Sequence, residues 1–362
     1  MLSSDVLFAF VRARHSDFAK FSFDPKPQSD YAGADVWLLT SLLQKAVRRG
    51  DLQIARRAGH QLLKLDPPRL WRRIMTLALE DIGIGDAEAC AVLVGIATAK
   101  ETRQLLEPHA LDVALALGCA ALKDRSSDHL TSILRGAYNE RDVLATASPN
   151  ALLAVMASAS QPWCRRLQAT HLAETALKGP QSATLFARFG ELGVPEPLVA
   201  ASRVYHRRGR DSLAALTCLA WTFWRAEIDD VRLKAPAPVS LIGDLPDYAF
   251  DPLHTRLGQR AVELWLRSYM TKPPFSPRQV AAALWNEESA FCDRLLNWPL
   301  GLEIEGLART CDLTVRHVPQ ERQEELCNWV VQEQPALKLA RKAVWESEQR
   351  MRPSRLMPRP MF

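Results

Sequence analysis

Asp35-Val36-Trp37-Leu38-Leu39-Thr40-Ser41-Leu42-Leu43-Gln44-Lys45-Ala46-Val47-Arg48-Arg49-Gly50 is the stretch that decides the fold class. Leu38, Leu39, Leu42, Leu43, Ala46 and Val47 recur at three- and four-residue intervals, the spacing of one apolar helix face, and Gly50 stands where a helix C-terminus belongs. The same grammar repeats downstream. Asp51 caps a helix carrying Ile54, Ala55, Ala58, Leu62 and Leu63. Asp66-Pro67 supplies a cap and a first-turn proline for Leu70, Trp71, Ile74, Met75 and Ala78. Gly83 and Gly85 interrupt that pattern, and Asp86 starts another with Val92, Leu93 and Ile96. Short loops then separate helical patterns through residue 227, which predicts antiparallel neighbours. No fixed period emerges, so the expectation is an all-α, irregular multi-helix array rather than a regular solenoid.

Composition agrees. Apolar residues make up 48% of the chain and charged ones 24%, an ordinary globular balance, and Leu, Ala and Arg favour helix. Strand-like alternation is scarce; the longest candidate, Ala237 to Ile242, sits in a proline-flanked loop. At 362 residues the chain exceeds what one core usually serves. Pro236, Pro238, Gly243 and Pro246 mark residues 231–250 as a linker between two helical domains, 35–230 and 251–350. Residues 1–34 read as an N-terminal arm and 351–362 as a disordered tail, whose three prolines stop the preceding helix. Within the tail, Leu356, Met357 and Phe362 are spaced as anchors for a partner or a neighbouring subunit.

Several function classes are disfavoured. The seven cysteines are scattered, without C-x-x-C or zinc-ligand spacing, and read as reduced thiols. No run of about eighteen apolar residues suggests a membrane span, and the N-terminal order of charge is not that of a secretory signal. A cytoplasmic protein without metal or cofactor is expected. The net charge of +5 permits contact with DNA without requiring it. Tryptophans such as Trp71, Trp221 and Trp265 fall in periodic helices and read as packing.

Two further stretches carry candidate chemistry. Arg203, Tyr205, Arg207, Arg208 and Arg210 form the densest basic cluster, with guanidinium forks for phosphates and a ring for a base face. The alternative role is complementing a helix dipole before Gly209. Asp251, His254 and Arg256 meet where the long loop enters a helix. A histidine beside a carboxylate can act as a general base, although no nucleophile or metal ligand stands at diagnostic spacing. The structural expectation is that Asp251 caps the helix opened by Pro252 while His254 and Arg256 pin the loop.

Ser41-Leu42-Leu43-Gln44-Lys45-Ala46-Val47-Arg48, followed by Arg69, Arg72, Arg73 and then Leu79-Glu80-Asp81-Ile82-Gly83, resembles a known pattern. It is similar to the helical region after the ATPase core in the MgsA/RarA family of replication-associated recombination ATPases. That family shows Ser-x-x-x-Lys-Ser-x-Arg, then an arginine-rich helix running into Ser-Glu-Asp-(Ile/Val)-Gly. The likeness covers about residues 35–123 and rests on Ser41, Lys45, Arg48, Arg72, Arg73, Glu80, Asp81 and Gly83. Gln44-Lys45 replaces a frequent His-Lys, and no G-x-x-x-x-G-K-[ST] phosphate loop exists anywhere. Adjacent helical residues point about 100° apart, so Glu80 and Asp81 are expected to pair with Arg72, Arg73 or the next helix rather than face one substrate. The resemblance implies a homo-oligomeric scaffold that works with replication or repair proteins and DNA, without the motor. The alternatives are a purely protein-binding scaffold and an enzyme centred on residues 251–256.

Overall fold

The computed structural model describes the chain apart from residues 1–2, 19–20, 22, 24–29, 137–143, 209–211, 225–229, 234–238, 270–271, 290–291 and 356–362. It is 76% helical. In chain order the helices are α1 Ser3–Ala13, α2 His15–Phe18, α3 Val36–Arg48, α4 Leu52–Leu65 and α5 Pro67–Leu77. A π-helical turn, Ala78–Ile82, continues α5. Then come α6 Ala87–Thr98, α7 Lys100–Leu105, α8 Ala110–Ala120, α9 Ser126–Gly136 and α10 Pro149–Ala157. The next four are α11 Trp163–Ala176, α12 Ser182–Glu191, α13 Glu196–Arg208 and α14 Leu213–Trp224. The last five are α15 Arg256–Arg267, α16 Pro277–Ser289, α17 Pro299–Val315, α18 Gln323–Gln332 and α19 Gln334–Arg355.

The helix starts follow from their caps. Asp35 accepts from Leu38 N at 2.8 Å, Asp51 from Ile54 N at 3.0 Å, Asp66 from Arg69 N at 3.0 Å and Asp86 from Ala89 N at 2.9 Å. Gly50 adopts φ +68°, the left-handed turn between α3 and α4. α3 packs on α4, α9 on α17, α6 on α13 and α15 on α19.

One main hydrophobic cluster runs from Leu7 on α1 to Trp345 on α19, and it includes Ile242, Leu245, Tyr248 and Phe250 from the expected linker. A smaller cluster joins Trp265, Phe275, Leu284, Leu326 and Leu337. Ile242, Leu245, Tyr248 and Phe250 thus anchor the stretch expected as a linker to the main core. Proline and a broken period signal the loss of helix, but they do not reveal that the intervening Leu245, Tyr248 and Phe250 are anchors.

Short strands also appear where helix or loop was expected. β1 Asp230–Leu233 pairs antiparallel with β4 Arg294–Asn297, with Asp230 opposite Asn297 and Leu233 opposite Arg294. β2 Leu241–Ile242 and β3 Leu245–Pro246 form a hairpin. α16 ends at Ser289 and frees the chain for β4, where an apolar run as short as Leu295-Leu296 serves strand or helix alike. α19 runs through Pro353 to Arg355, past the expected stop at Met351. A proline in the last turn forfeits one backbone bond where few remain to be made. The tail anchors Leu356, Met357 and Phe362 lie outside the described residues.

Candidate functional site

The buried stripe of α3 fixes the direction of its other face. With Leu38, Leu39, Leu42 and Leu43 in the core, Ser41, Gln44, Lys45 and Arg48 line a second, polar surface that is itself mostly enclosed. The π turn brings its two acidic side chains to that surface. Arg48 Nη2 donates to Glu80 Oε1 at 3.0 Å and its Nε donates to Asp81. Gln44 Nε2 reaches Glu80 Oε1 at 2.9 Å and Asp81 Oδ2 at 3.0 Å, while Arg73 Nη1 donates to Gln44 Oε1 at 2.8 Å. Arg125 adds a second cation, 3.8 Å from Asp81. Against the cost of burial, Asp81 and then Glu80 hold the Arg48 proton tightly. The carboxylates therefore share Arg48 of the earlier helix α3, not the Arg72, Arg73 or next helix expected; Arg72 Nε donates to Pro68 O instead. Turns of π-helix recur at functional sites, and here one aims neighbouring carboxylates at the same guanidinium. Gly83 ends the turn at φ +49°.

The loop after β3 completes this centre. Lys45 Nζ donates to Tyr248 O at 2.9 Å and to Glu288 Oε2 at 3.3 Å, and lies 3.6 Å from Asp251 Oδ2. Arg341 of α19 donates to Glu288 Oε1 at 2.5 Å and to Phe250 O at 3.2 Å. Burial alone would raise the Asp251 carboxyl. Lys45, His254 and the Leu253 amide outweigh it and hold Asp251 far below the usual carboxylate range. Asp251 Oδ1 accepts from Leu253 N at 2.8 Å, His254 N at 3.0 Å and His254 Nδ1 at 3.2 Å. It closes the turn ahead of α15, whose own cap is Thr255, accepting from Gly258 N at 3.0 Å. Arg256 points elsewhere, pairing with Glu348 at 3.1 Å. So the 251–256 group divides. Asp251 and His254 join the Lys45 centre, and Arg256 ties α15 to α19.

The elements enclose a cleft of about 300 Å³ between α3, α5, α9, α16, α17 and the Asp251 loop. The resemblance-derived residues Ser41, Lys45, Arg48, Arg73 and Glu80 and the loop residues Asp251 and His254 all line it. Asp81 and Gly83 stand behind that wall, and Arg72 faces away. Trp285, the cations Arg135 and Arg316 and the carboxylates Asp128 and Asp312 also line it. Trp285 reads from the sequence as packing, and the two arginines carry no local signal, because nothing local marks residues that meet only through tertiary packing.

The basic run also divides. Tyr205 is 4% exposed and belongs to the core, so it offers no open face to a base. Arg203 and Arg207 border a cavity beside Phe186 and His206, whose Nδ1 is 3.1 Å from Glu174. Arg210 lies outside the described residues. Arg208 turns the other way, donating to Thr98 O at 3.0 Å, beside Arg103 of α7. Arg103 donates to Ile96 O at 2.9 Å and Ala97 O at 3.2 Å and stands 5.0 Å over the Trp71 ring. Trp71, Arg72 and Arg208 line an open cavity of about 420 Å³. Burial and then the neighbouring Arg208 lower the proton affinity of Arg103. Arg72, Arg103 and Arg208 form no ion pair among the described residues, and their hydrogen bonds go to main-chain carbonyls. Trp71 had read as packing, and Arg103 carried no local signal.

Among the described residues, no group of three His, Cys, Asp or Glu side chains is placed to hold a metal ion. No described helix is long and apolar enough to cross a membrane. No protein-family model, curated protein or solved structure matches this chain.

Proposed function

We propose that this protein is a non-catalytic accessory factor of DNA replication, repair or a mobile element, acting as a self-associating helical scaffold that contacts DNA. One observation carries the DNA contact: Arg72, Arg103 and Arg208 gather around Trp71 and form no ion pair among the described residues, with Glu101 acting on Arg103 only at longer range. A guanidinium has five N–H donors, and each of these three commits only one of its nitrogens to the main chain. Like charges held together repel, and a phosphate backbone laid across them relieves that repulsion while using the spare donors. The pathway and the self-association rest on the likeness of residues 35–123 to the MgsA/RarA helical region.

The enzyme reading has weaker support. Asp251, the carboxylate on which it depends, is committed to Lys45 and to two amides of its own turn. A purely protein-binding scaffold is the rival, and electrophoretic mobility shifts of DNA at rising salt separate the two. Salt-sensitive retention of DNA supports the proposal, and no retention at 50 mM salt rejects it. Light scattering at micromolar concentration tests self-association, which a strict 40.5 kDa monomer contradicts.

A further inference from the structure

The central cleft holds cations that its own carboxylates do not neutralise. Lys45 and Arg48 are paired deep in its floor. Nearer the mouth, Arg73 donates to the Gln44 amide oxygen, and Arg135 and Arg316 form no hydrogen bond or ion pair from their guanidiniums among the described residues. The three arrive from different elements: α5, the last turn of α9, and the residue after α17. Ser41, 8% exposed, lines the same cleft with a hydroxyl oxygen that has no hydrogen-bond partner. The Trp285 indole forms one side, its ring 6.5 Å from that of His254. Four carboxylates line the cleft as well: Glu80 is paired with Arg48, Asp128 with Arg125 and Asp251 with Lys45, which leaves Asp312 to face these cations. Burial first, and Asp128 after it, hold Asp312 up to about 6, against Ser132, Arg125 and Arg135.

This lining is amphoteric: guanidiniums, a buried spare hydroxyl, a carboxylate acceptor and an indole face. A phosphomonoester carries close to two negative charges and three acceptor oxygens, which suits several guanidiniums better than a carboxylate does. A planar ring with N–H groups suits an indole beside a carboxylate. About 300 Å³ is the low end of small-molecule sites and leaves no room for a strand. We propose that the cleft binds a nucleoside monophosphate, its phosphate on Arg73, Arg135 and Arg316, its base against Trp285, and a base N–H donated to Asp312. Ser41 turns its hydroxyl to the ligand on binding. The site is separate from the Trp71 patch and does not depend on the DNA reading.

Isothermal titration of the full chain with AMP, GMP, CMP and UMP tests this, with adenosine, ribose 5-phosphate, inorganic phosphate and glycine as controls. At least one nucleotide is expected to bind tenfold or more tightly than every control. Arg135→Gln with Arg316→Gln should weaken it at least tenfold and leave the ligand-free melting temperature unchanged. Should the pair misfold, the exposed Arg135→Gln alone should still weaken binding severalfold. No binding by any of the four, equal binding of ribose 5-phosphate or glycine, or full affinity in the folded variants would overturn the assignment.

Discussion

Lys45 Nζ lies 3.3 Å from Glu288 Oε2, across 243 residues of chain. Both side chains are nearly enclosed, and Arg341 shares the same glutamate. The contact ties α3, at the start of the helical array, to α16 and α19 near its end.

Removing one member of such a buried set leaves its partners charged and unpaired. Lys45→Met is expected to cost about 3–5 kcal/mol, because Asp251 and Glu288 lose their shared cation. Urea unfolding monitored by tryptophan fluorescence measures it. A loss below about 1 kcal/mol would mean that the centre is wetter than its burial indicates.

Two titrating groups set opposite pH dependences. Burial pushes Asp124 up to about 6, against Ser126 and the Trp298 indole N–H, whereas an unfolded aspartate titrates near about 4. The folded state takes up that proton first, so stability rises as pH falls from about 6 to about 4. Asp251 has the reverse sign: its contribution is present at neutral pH and is lost as pH falls below the unfolded aspartate value. Asp124→Asn should therefore stabilise the protein above pH 7, by at most about 3 kcal/mol, with the gain gone near pH 4. Melting temperatures across that range check it; a gain independent of pH would refute the assignment.

Close backbone approach makes a third prediction. A Cβ at Gly85 would stand 2.6 Å from Leu122 O and 2.9 Å from the carbonyl carbon of Lys123, both main-chain atoms that cannot swing aside. Gly85→Ala should cost about 1–3 kcal/mol, read as a lower urea midpoint at unchanged slope. An unchanged midpoint would place α6 farther from residues 122–123.

The thiols should sort by burial. Cys119 and Cys218 are buried, and burial pushes both up to about 12, so neither presents thiolate at neutral pH. Cys164 and Cys327 are half-exposed and should react first with a maleimide under native conditions. Peptide mapping after brief labelling shows the order, and early modification of Cys218 would contradict the fold.

How much of this was legible depended on whether a signal was local. The caps at Asp51 and Asp66 and the stripe of α3 are written within a few residues, and they locate helices well. The β1–β4 pair was not legible, because four-residue strands 64 positions apart carry no periodicity. Partners such as Arg48 with Asp81 or Lys45 with Glu288 meet only once the array has packed. The same holds for Arg103 over Trp71, where each residue alone looks ordinary for an exposed or a packing position.

The DNA-contact reading is tested most directly by the salt dependence of binding. Binding of the parent chain and of Arg72→Ala/Arg103→Ala/Arg208→Ala to one duplex should be measured between 50 and 200 mM salt. Each phosphate contact adds about 0.9 to the steepness of log K against log salt. The triple variant is expected to bind more weakly, with a slope flatter by up to about three units and an unchanged far-ultraviolet spectrum. A folded triple variant that binds DNA with the parent's affinity and slope would contradict the assignment of this patch.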